Sequence, residues 1–430
     1  MTILKDYMGF KYVVPFNIDG NDKKILLVEL LKLLREKDDF LHKDQFIDSE
    51  IRKNFSISDF GNPNDVLKVK GISFILEGFI EEINQFKMDV SLTHNEVEFL
   101  GFTDDNEISL KFSNASIGGA NDIFVKGISS GKYNSTNECF RSWFDLGSKH
   151  IDFCLKDSRK EQVVNFFTDY INKMFKALPD DRRQYRLLLD PKNIGQESSE
   201  LLLRGVTSEG YKNYDNNVVL YLCLLFLHKY AVKTGNHFKF TGGYVSDSDI
   251  KASFELEKPK RLKHGEEVYI GLVMSNNEIR KGVVSFTMYY KIVHEGYSFK
   301  GIVKDPICEI VHTSGIEKLQ QKLQELLKLD EHEIKMLNYI DRVAMTDKLS
   351  EDMIFYLFKS IKSSELSSDT KSEAESKKQA INSTMTIIQI LDRLSDITTD
   401  VNELIHLQRI YDDVIKHLSE KVTTEGSLNF

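Results

Sequence analysis

The stretch "NVVLYLCLLFLHKYAV", residues 217–232, limits the possible folds more than any other part of the chain, because the residues from Val218 to Leu227 are all apolar. A helix built from them is apolar on every side and has to be wrapped by other elements rather than laid on a surface. It falls short of the roughly 18 uninterrupted apolar residues of a membrane span, and His228 and Lys229 break it. A buried helix is therefore expected. Asp215 or Asn216 is suited to cap it, since a short side-chain oxygen can accept from the unpaired amides of the first turn.

The rest of the chain has to supply the wrapping. At 430 residues, with 41% hydrophobic and 29% charged residues, it has the composition of a globular protein and the length for two or three units. "VYIGLVMSNNEIRKGVVSFTMYYKIV", Val268 to Val293, reads as a β-hairpin. In its second strand Val284, Phe286, Met288, Tyr290 and Ile292 share one face, while Ser285, Thr287, Tyr289 and Lys291 share the other. The first strand is apolar on both faces, which predicts a central position in a sheet. "DIKASFEL" is a further strand, and "VEFLGF" and "EISLKF", joined by "TDDN", form a second hairpin. Amphipathic helices are predicted at "KKILLVELLKLLREK" and "KEQVVNFFTDYINKMFKAL".

Beyond Pro306 the chain is helical in character. "KSSELSSDTKSEAESKKQA" carries almost no large apolar residue and predicts a linker or an exposed helix. From Ile387 to Leu418 apolar residues recur at alternating spacings of three and four, with only Gln408 polar, which is the pattern of a coiled coil between chains. The alternative is packing within the chain, with a break near "SDITTD" and a fresh helix begun by Asp400 and Glu403. The expected fold is α+β: a mixed or antiparallel sheet core with packed helices, followed by an all-helical C-terminal region with a coiled-coil-like last helix. The expected units are an N-terminal α+β region at 1–190, a β-rich core at 191–315, helices at 316–362, a polar linker at 363–382 and the heptad helix at 383–420.

The net charge of −9 opposes uniform coating of a polyanion and leaves room only for local basic patches. Four cysteines without a CxxC pair disfavour zinc and a disulfide framework, and Lys5 and Asp6 sit where a secretory signal needs an apolar core. A cytoplasmic protein without a membrane segment is expected, with no cofactor. Walker A, GxGxxG, HExxH and GxSxG signatures do not occur, so no enzymatic reaction is expected. The candidates for ligand contact are basic residues interleaved with aromatics: Lys258, Lys260, Arg261 and Lys263 in one loop, then Arg280, Lys281, Tyr289, Lys291, Tyr297 and Lys300. Cationic side chains beside stacking rings are the means by which single-stranded nucleic acid is held.

The hairpin segment also resembles the phage/plasmid-like protein family (domain of unknown function 932) at Gly271, Leu272, Ser275, Asn276, Glu278 and Lys291. Two further segments follow the family's order, one at Arg204, Ser208, Tyr211, Asp215 and Asn216, the other at His312, Thr313 and Gly315. The sequence departs where "HEG" replaces the family's usual Cys-Thr-Asn-Gly, and residues 1–190 are only loosely alike. The resemblance implies a protein of phages or mobile elements, and adds Arg204 and Tyr211 to the candidate residues. The function it suggests is binding or annealing of single-stranded DNA in replication or recombination, by a homo-oligomer formed through the C-terminal helix. The alternative is a phage structural or assembly protein, such as a component of the virion, that docks through the same helix.

Overall fold

The computed structural model describes residues 3–6, 9–14, 23–35, 47–73, 87–113, 123–127, 129–130, 133–145, 147, 153, 155, 160–189, 201–245, 248–279, 282–381 and 384–427. Two sheets organise them, and the fold is α+β. The larger sheet runs β1 (Ile3–Asp6), β2 (Gly9–Val14), β12 (Phe238–Val245), β13 (Asp249–Leu256), β15 (Glu267–Asn277), β16 (Val284–His294) and β17 (Tyr297–Ile302). Short strands β3 (Val69–Lys70), β14 (Lys260–Arg261) and β18 (Cys308–Ile310) join β12, β15 and β16. The smaller sheet runs β4 (Lys87–Thr93), β10 (Arg182–Leu189), β11 (Leu201–Ser208), β7 (Ile123–Gly127), β6 (Ile108–Phe112) and β5 (Val97–Phe102). A separate pair is formed by β8 (Ser129–Ser130) and β9 (Tyr133–Asn134).

The apolar run folds as expected into a buried helix. Helices α1 (Ile47–Asn54), α2 (Ser135–Phe144) and α3 (Lys160–Ala177) precede it, and it is α4, Asn216–Thr234. Every residue from Asn216 to His228 is buried. α4 lies against the core face of the large sheet, where Ile270, Leu272, Met274, Phe286, Met288 and Tyr290 point inward. Gly235, in the left-handed region at φ 73°, ends it. Both predicted hairpins are present: β15 pairs β16 in unbroken register from Glu267↔Val293 to Ser275↔Ser285, and β5 pairs β6.

Two expectations change. The predicted helix around Leu26–Leu34 is a 3-10 turn at Leu27–Leu33, shaped by Glu29, whose carboxylate accepts from the Leu26 amide at 2.7 Å. A boundary at 190 does not separate the sheets, because β1–β3 belong to the large sheet while β11 pairs with β10 and β7 in the small one. The polar stretch takes the second of its two expected forms, an exposed helix.

That stretch forms the mostly exposed helix α8, Ser368–Lys378, within the C-terminal series α5 (Ile316–Leu323), α6 (Leu329–Ile340), α7 (Glu351–Ser363), α8, α9 (Ile387–Leu394) and α10 (Val401–Ser427). The heptad seam is divided between α9 and α10. Asp400 accepts from the amides of Asn402 (2.8 Å) and Glu403 (3.1 Å) and so starts α10 afresh. Ile387, Ile390, Leu394, Leu407, Tyr411, Val414 and Ile415 are buried in the same core as the sheet, and α10 packs on β17, α6 and α7. The 3.5-residue spacing thus serves a helix pair closing over the chain's own sheet. The expected seam between chains is used internally.

Two tests follow. Leu407→Ala is expected to lower unfolding free energy by about 2–5 kcal/mol in chemical denaturation, with no change of mass in light scattering; a lowered mass at unchanged stability would restore the inter-chain seam. Glu403 accepts from the Ser367 amide (2.7 Å) and the hydroxyls of Thr370 and Thr398. Burial alone would raise its pKa, but these hydrogen bonds bring it down to about 2. Because the folded value lies below the ordinary 4.5, the stabilisation is present above about pH 4.5 and is lost as pH falls toward 2. Glu403→Gln should flatten that part of the stability–pH curve, and an unaltered curve would discount the junction.

Candidate functional site

The three segments that carry the family resemblance meet around one buried carboxylate. Glu278 follows β15 directly and is fully buried. It accepts from Lys87 Nζ at 2.7 Å, Arg204 Nη1 at 2.6 Å and the Asn216 amide at 2.9 Å. Its backbone carbonyl takes the Tyr211 hydroxyl at 3.1 Å. Asp215, one of the two residues expected to cap α4, occupies the cap position without a side-chain cap. It pairs instead with Arg186 at 2.6 Å and Arg35 at 3.1 Å, so the helix N-terminus is capped from across the core by Glu278. Asn216 accepts from Asn276 at 3.0 Å, and Asn217 donates to Asp48 at 3.2 Å. His312 stacks on Tyr211 with centroids 4.6 Å apart and planes 5° from parallel.

Four cations (Arg35, Lys87, Arg186, Arg204) face four carboxylates (Asp48, Asp89, Asp215, Glu278) in this centre. Lys87 and Asp89 come from β4, Arg186 from β10 and Arg204 from β11, while Asp215 and Glu278 come from α4 and the end of β15. The centre therefore fastens the small sheet to the large one. Burial opposes charge on every member. At Arg35 and Arg186 burial is overruled by Asp48, Asp89 and Asp215, which hold both guanidinium groups above their usual range. Asp215 is likewise held well below the carboxylate range by Arg186 and Arg35 against burial. At Lys87 burial wins over Glu278, and the ammonium is pushed down. Gly205 lets β11 approach, because a Cβ there would stand 3.1 Å from Ile279.

Arg204 and Tyr211, proposed from sequence as ligand contacts, are thus sealed inside and cannot reach nucleic acid. Tyr289 is also sealed, at 1% exposure, with its ring lying over Gly271 and closed in by Val273, Ile302 and Ile405. It offers no stacking face. Lys260 and Lys263 turn toward α6, pairing with Glu333 and with Asp341 (3.1 Å), so they anchor a helix. Lys258 and Arg261 are exposed; Arg280 and Lys281 lie outside the described residues. The predicted ledge is therefore not one surface.

A different set does come together, on the face of the large sheet turned away from α4. Register places Lys239 (β12) beside Glu255 (β13), and Tyr269 (β15), Lys291 (β16) and Lys300 (β17) in one row. Arg261 opposes Glu267 on the same face. Lys239 reaches Glu255 at 3.1 Å and lies 5.5 Å from the Tyr269 ring, and Lys300 lies 5.2 Å from the Tyr289 ring. Burial first, then the charges of Lys291 and Lys239, outweigh Glu255 and push Lys300 down to about 8. Of these residues the sequence reading named Arg261, Lys291 and Lys300. Lys239 lacked any local signal, since it stands on a distant strand and only the sheet brings it near them. Beside the row, the N-terminal turn of α10 forms one wall of a small cavity, with Asn402 accepting from Lys251 and from Tyr244 (3.3 Å).

Among the described residues no group of three or more His, Cys, Asp or Glu could hold a metal, and no helix is long and apolar enough to cross a membrane. Comparison with protein-family models, with curated proteins and with solved structures found no match. For the buried centre, Glu278→Ala should cost about 3–5 kcal/mol by leaving cations unpaired, read by urea denaturation. A loss under about 1 kcal/mol would mean that the network is not holding the sheets together.

Proposed function

We propose that the protein binds single-stranded nucleic acid on the outer face of its large sheet, through Lys239, Lys291 and Lys300, with the half-buried Tyr269 as the ring available for stacking. The observation that carries this reading is the state of Lys300: two further ammonium groups crowd it, with Glu255 as the carboxylate among the groups acting on it. A patch of excess positive charge in a chain of net charge −9 is stabilised by an incoming anion. Lys291 and Lys300 stand on adjacent strands and Lys239 three strands from Lys291, at about 4.8 Å per strand, so phosphates spaced along a flexible strand can meet them in turn.

The same reading includes membership of the phage/plasmid-like family and a part in replication or recombination of a mobile element. What supports it is geometric. Arg204, Tyr211, Asp215, Asn216, Asn276, Glu278 and His312, drawn from three separate segments, converge on one centre. A second reading, a structural or assembly protein, is favoured by one observation: these residues lie in a closed ionic core and present nothing to a ligand.

Fluorescence anisotropy with a labelled oligonucleotide over a salt series separates the two. Three phosphate contacts predict a slope of about −2 in log affinity against log salt, lowered by roughly 0.7 for each lysine removed. Lys239→Ala with Lys291→Ala should weaken binding at nearly unchanged melting temperature. Affinity should also fall as pH rises through about 8, where Lys300 loses its charge. Lack of saturable binding at any salt concentration supports the structural reading instead.

A further inference from the structure

Among the described residues the smaller sheet ends at β5, and a side chain stands where a further strand would lie. The Phe99 amide donates to Asn172 Oδ1 at 3.0 Å, and the Phe99 carbonyl accepts from Asn172 Nδ2 at 2.8 Å. A carboxamide carries the donor and the acceptor of a peptide group. Asn172 therefore makes with Phe99 the two bonds that a residue of a neighbouring antiparallel strand would exchange. It stands on α3, whose Phe167, Ile171 and Phe175 are buried in the core of this sheet. Gly101 lets the helix come close, since a Cβ there would meet Thr168 Oγ1 at 3.3 Å and Val164 Cγ1 at 3.5 Å. A bulge between Phe99 and Gly101 bends the same edge. The last strand of the large sheet is held in a related but less complete way, because the Ser298 amide of β17 donates to Asp392 of α9 at 2.9 Å and a carboxylate only accepts.

We infer that Asn172 is an inhibitory contact that keeps β5 from pairing, and that the partner it excludes is the β5 strand of a second copy of this chain. A strand edge with free amides and carbonyls is a template for another strand. Val97–Phe102 has no proline and leaves Leu100 exposed, at 40%, so it has the composition of a pairing edge. A second copy fits because the pairing is isologous. Antiparallel approach about Phe99 brings the N–H of each chain to the C=O of the other, using on both chains the two groups that Asn172 holds. That register sets Leu100 of one chain opposite Glu98 of the other, and both positions are exposed.

The full chain is compared with Asn172→Ala by light scattering over a concentration series, with the melting temperature as the check on folding. The mass of the variant should rise with concentration to twice that of the unaltered chain. At low concentration its Phe99 amide should exchange with deuterium at least about tenfold faster than in the unaltered chain, and should recover protection as the mass doubles. Adding Leu100→Glu sets like charges opposite each other and should return the mass to that of the unaltered chain, whereas adding Leu100→Lys should move the doubling to lower concentration. Asn172→Ser, too short to reach both groups of Phe99, is the second variant. A folded Asn172→Ala or Asn172→Ser chain that keeps the mass of the unaltered chain at every concentration overturns the inference, and so does a doubling that Leu100→Glu leaves in place. In the unaltered chain, a Phe99 amide that exchanges as fast as an unstructured one overturns it without any variant.

Discussion

The carboxylate of Glu278 is the point on which the architecture depends. It is fully buried, and it satisfies Lys87 and Arg204 from one sheet and the first amide of α4 from the other side of the core. Isolated in an apolar interior such a charge is strongly disfavoured, and removing one partner of a buried pair leaves the other uncompensated. The eight charges at this centre therefore constrain one another. α4 can enter the core at only one position, since its N-terminus has to meet Glu278 while Asp215 meets Arg186 and Arg35. Apolar packing alone would allow a helix that is hydrophobic all round to rotate or slide.

Fixing α4 fixes the sheet above it, and that decides where function can reside. The core face of β15 and β16 is filled by α4 and the C-terminal helices, so the proposed ligand surface has to lie on the opposite face of this sheet. There Gly271 allows the Tyr289 ring to lie flat on the sheet, and Lys300 then rests over that ring beside Lys291 and Lys239. The N-terminal turn of α10 closes one end of this face through Ile405 and Asn402. The helix that reads as an oligomerisation element instead shapes the margin of the lysine row.

Periodicity made the local elements legible. The all-apolar run gave α4, the alternation in Val284–Ile292 gave the face that packs inward, and the Asp400–Glu403 pair marked where the heptad helix restarts. Long-range consequences were not legible. Asp215 has the chemistry of a cap, and nothing local reveals that two arginines from distant segments compete for it. Tyr289 alternates onto the polar face of its strand, yet a glycine on the neighbouring strand and a helix more than a hundred residues later bury it. Lys260 and Lys263 read as a free basic loop, because their acidic partners Glu333 and Asp341 lie on a helix whose docking no spacing rule predicts. The residues that carry the resemblance lie together in one buried centre, and shared position in a motif does not distinguish a surface contact from a buried ion pair.

Lysine footprinting tests the account most directly: acetylation of surface amines with and without a saturating single-stranded oligonucleotide, read residue by residue in mass spectrometry. The account predicts protection confined to Lys239, Lys291 and Lys300, with Lys258 and Lys263 unchanged. Protection centred on Lys258 and Lys263, or no protection anywhere, would contradict it.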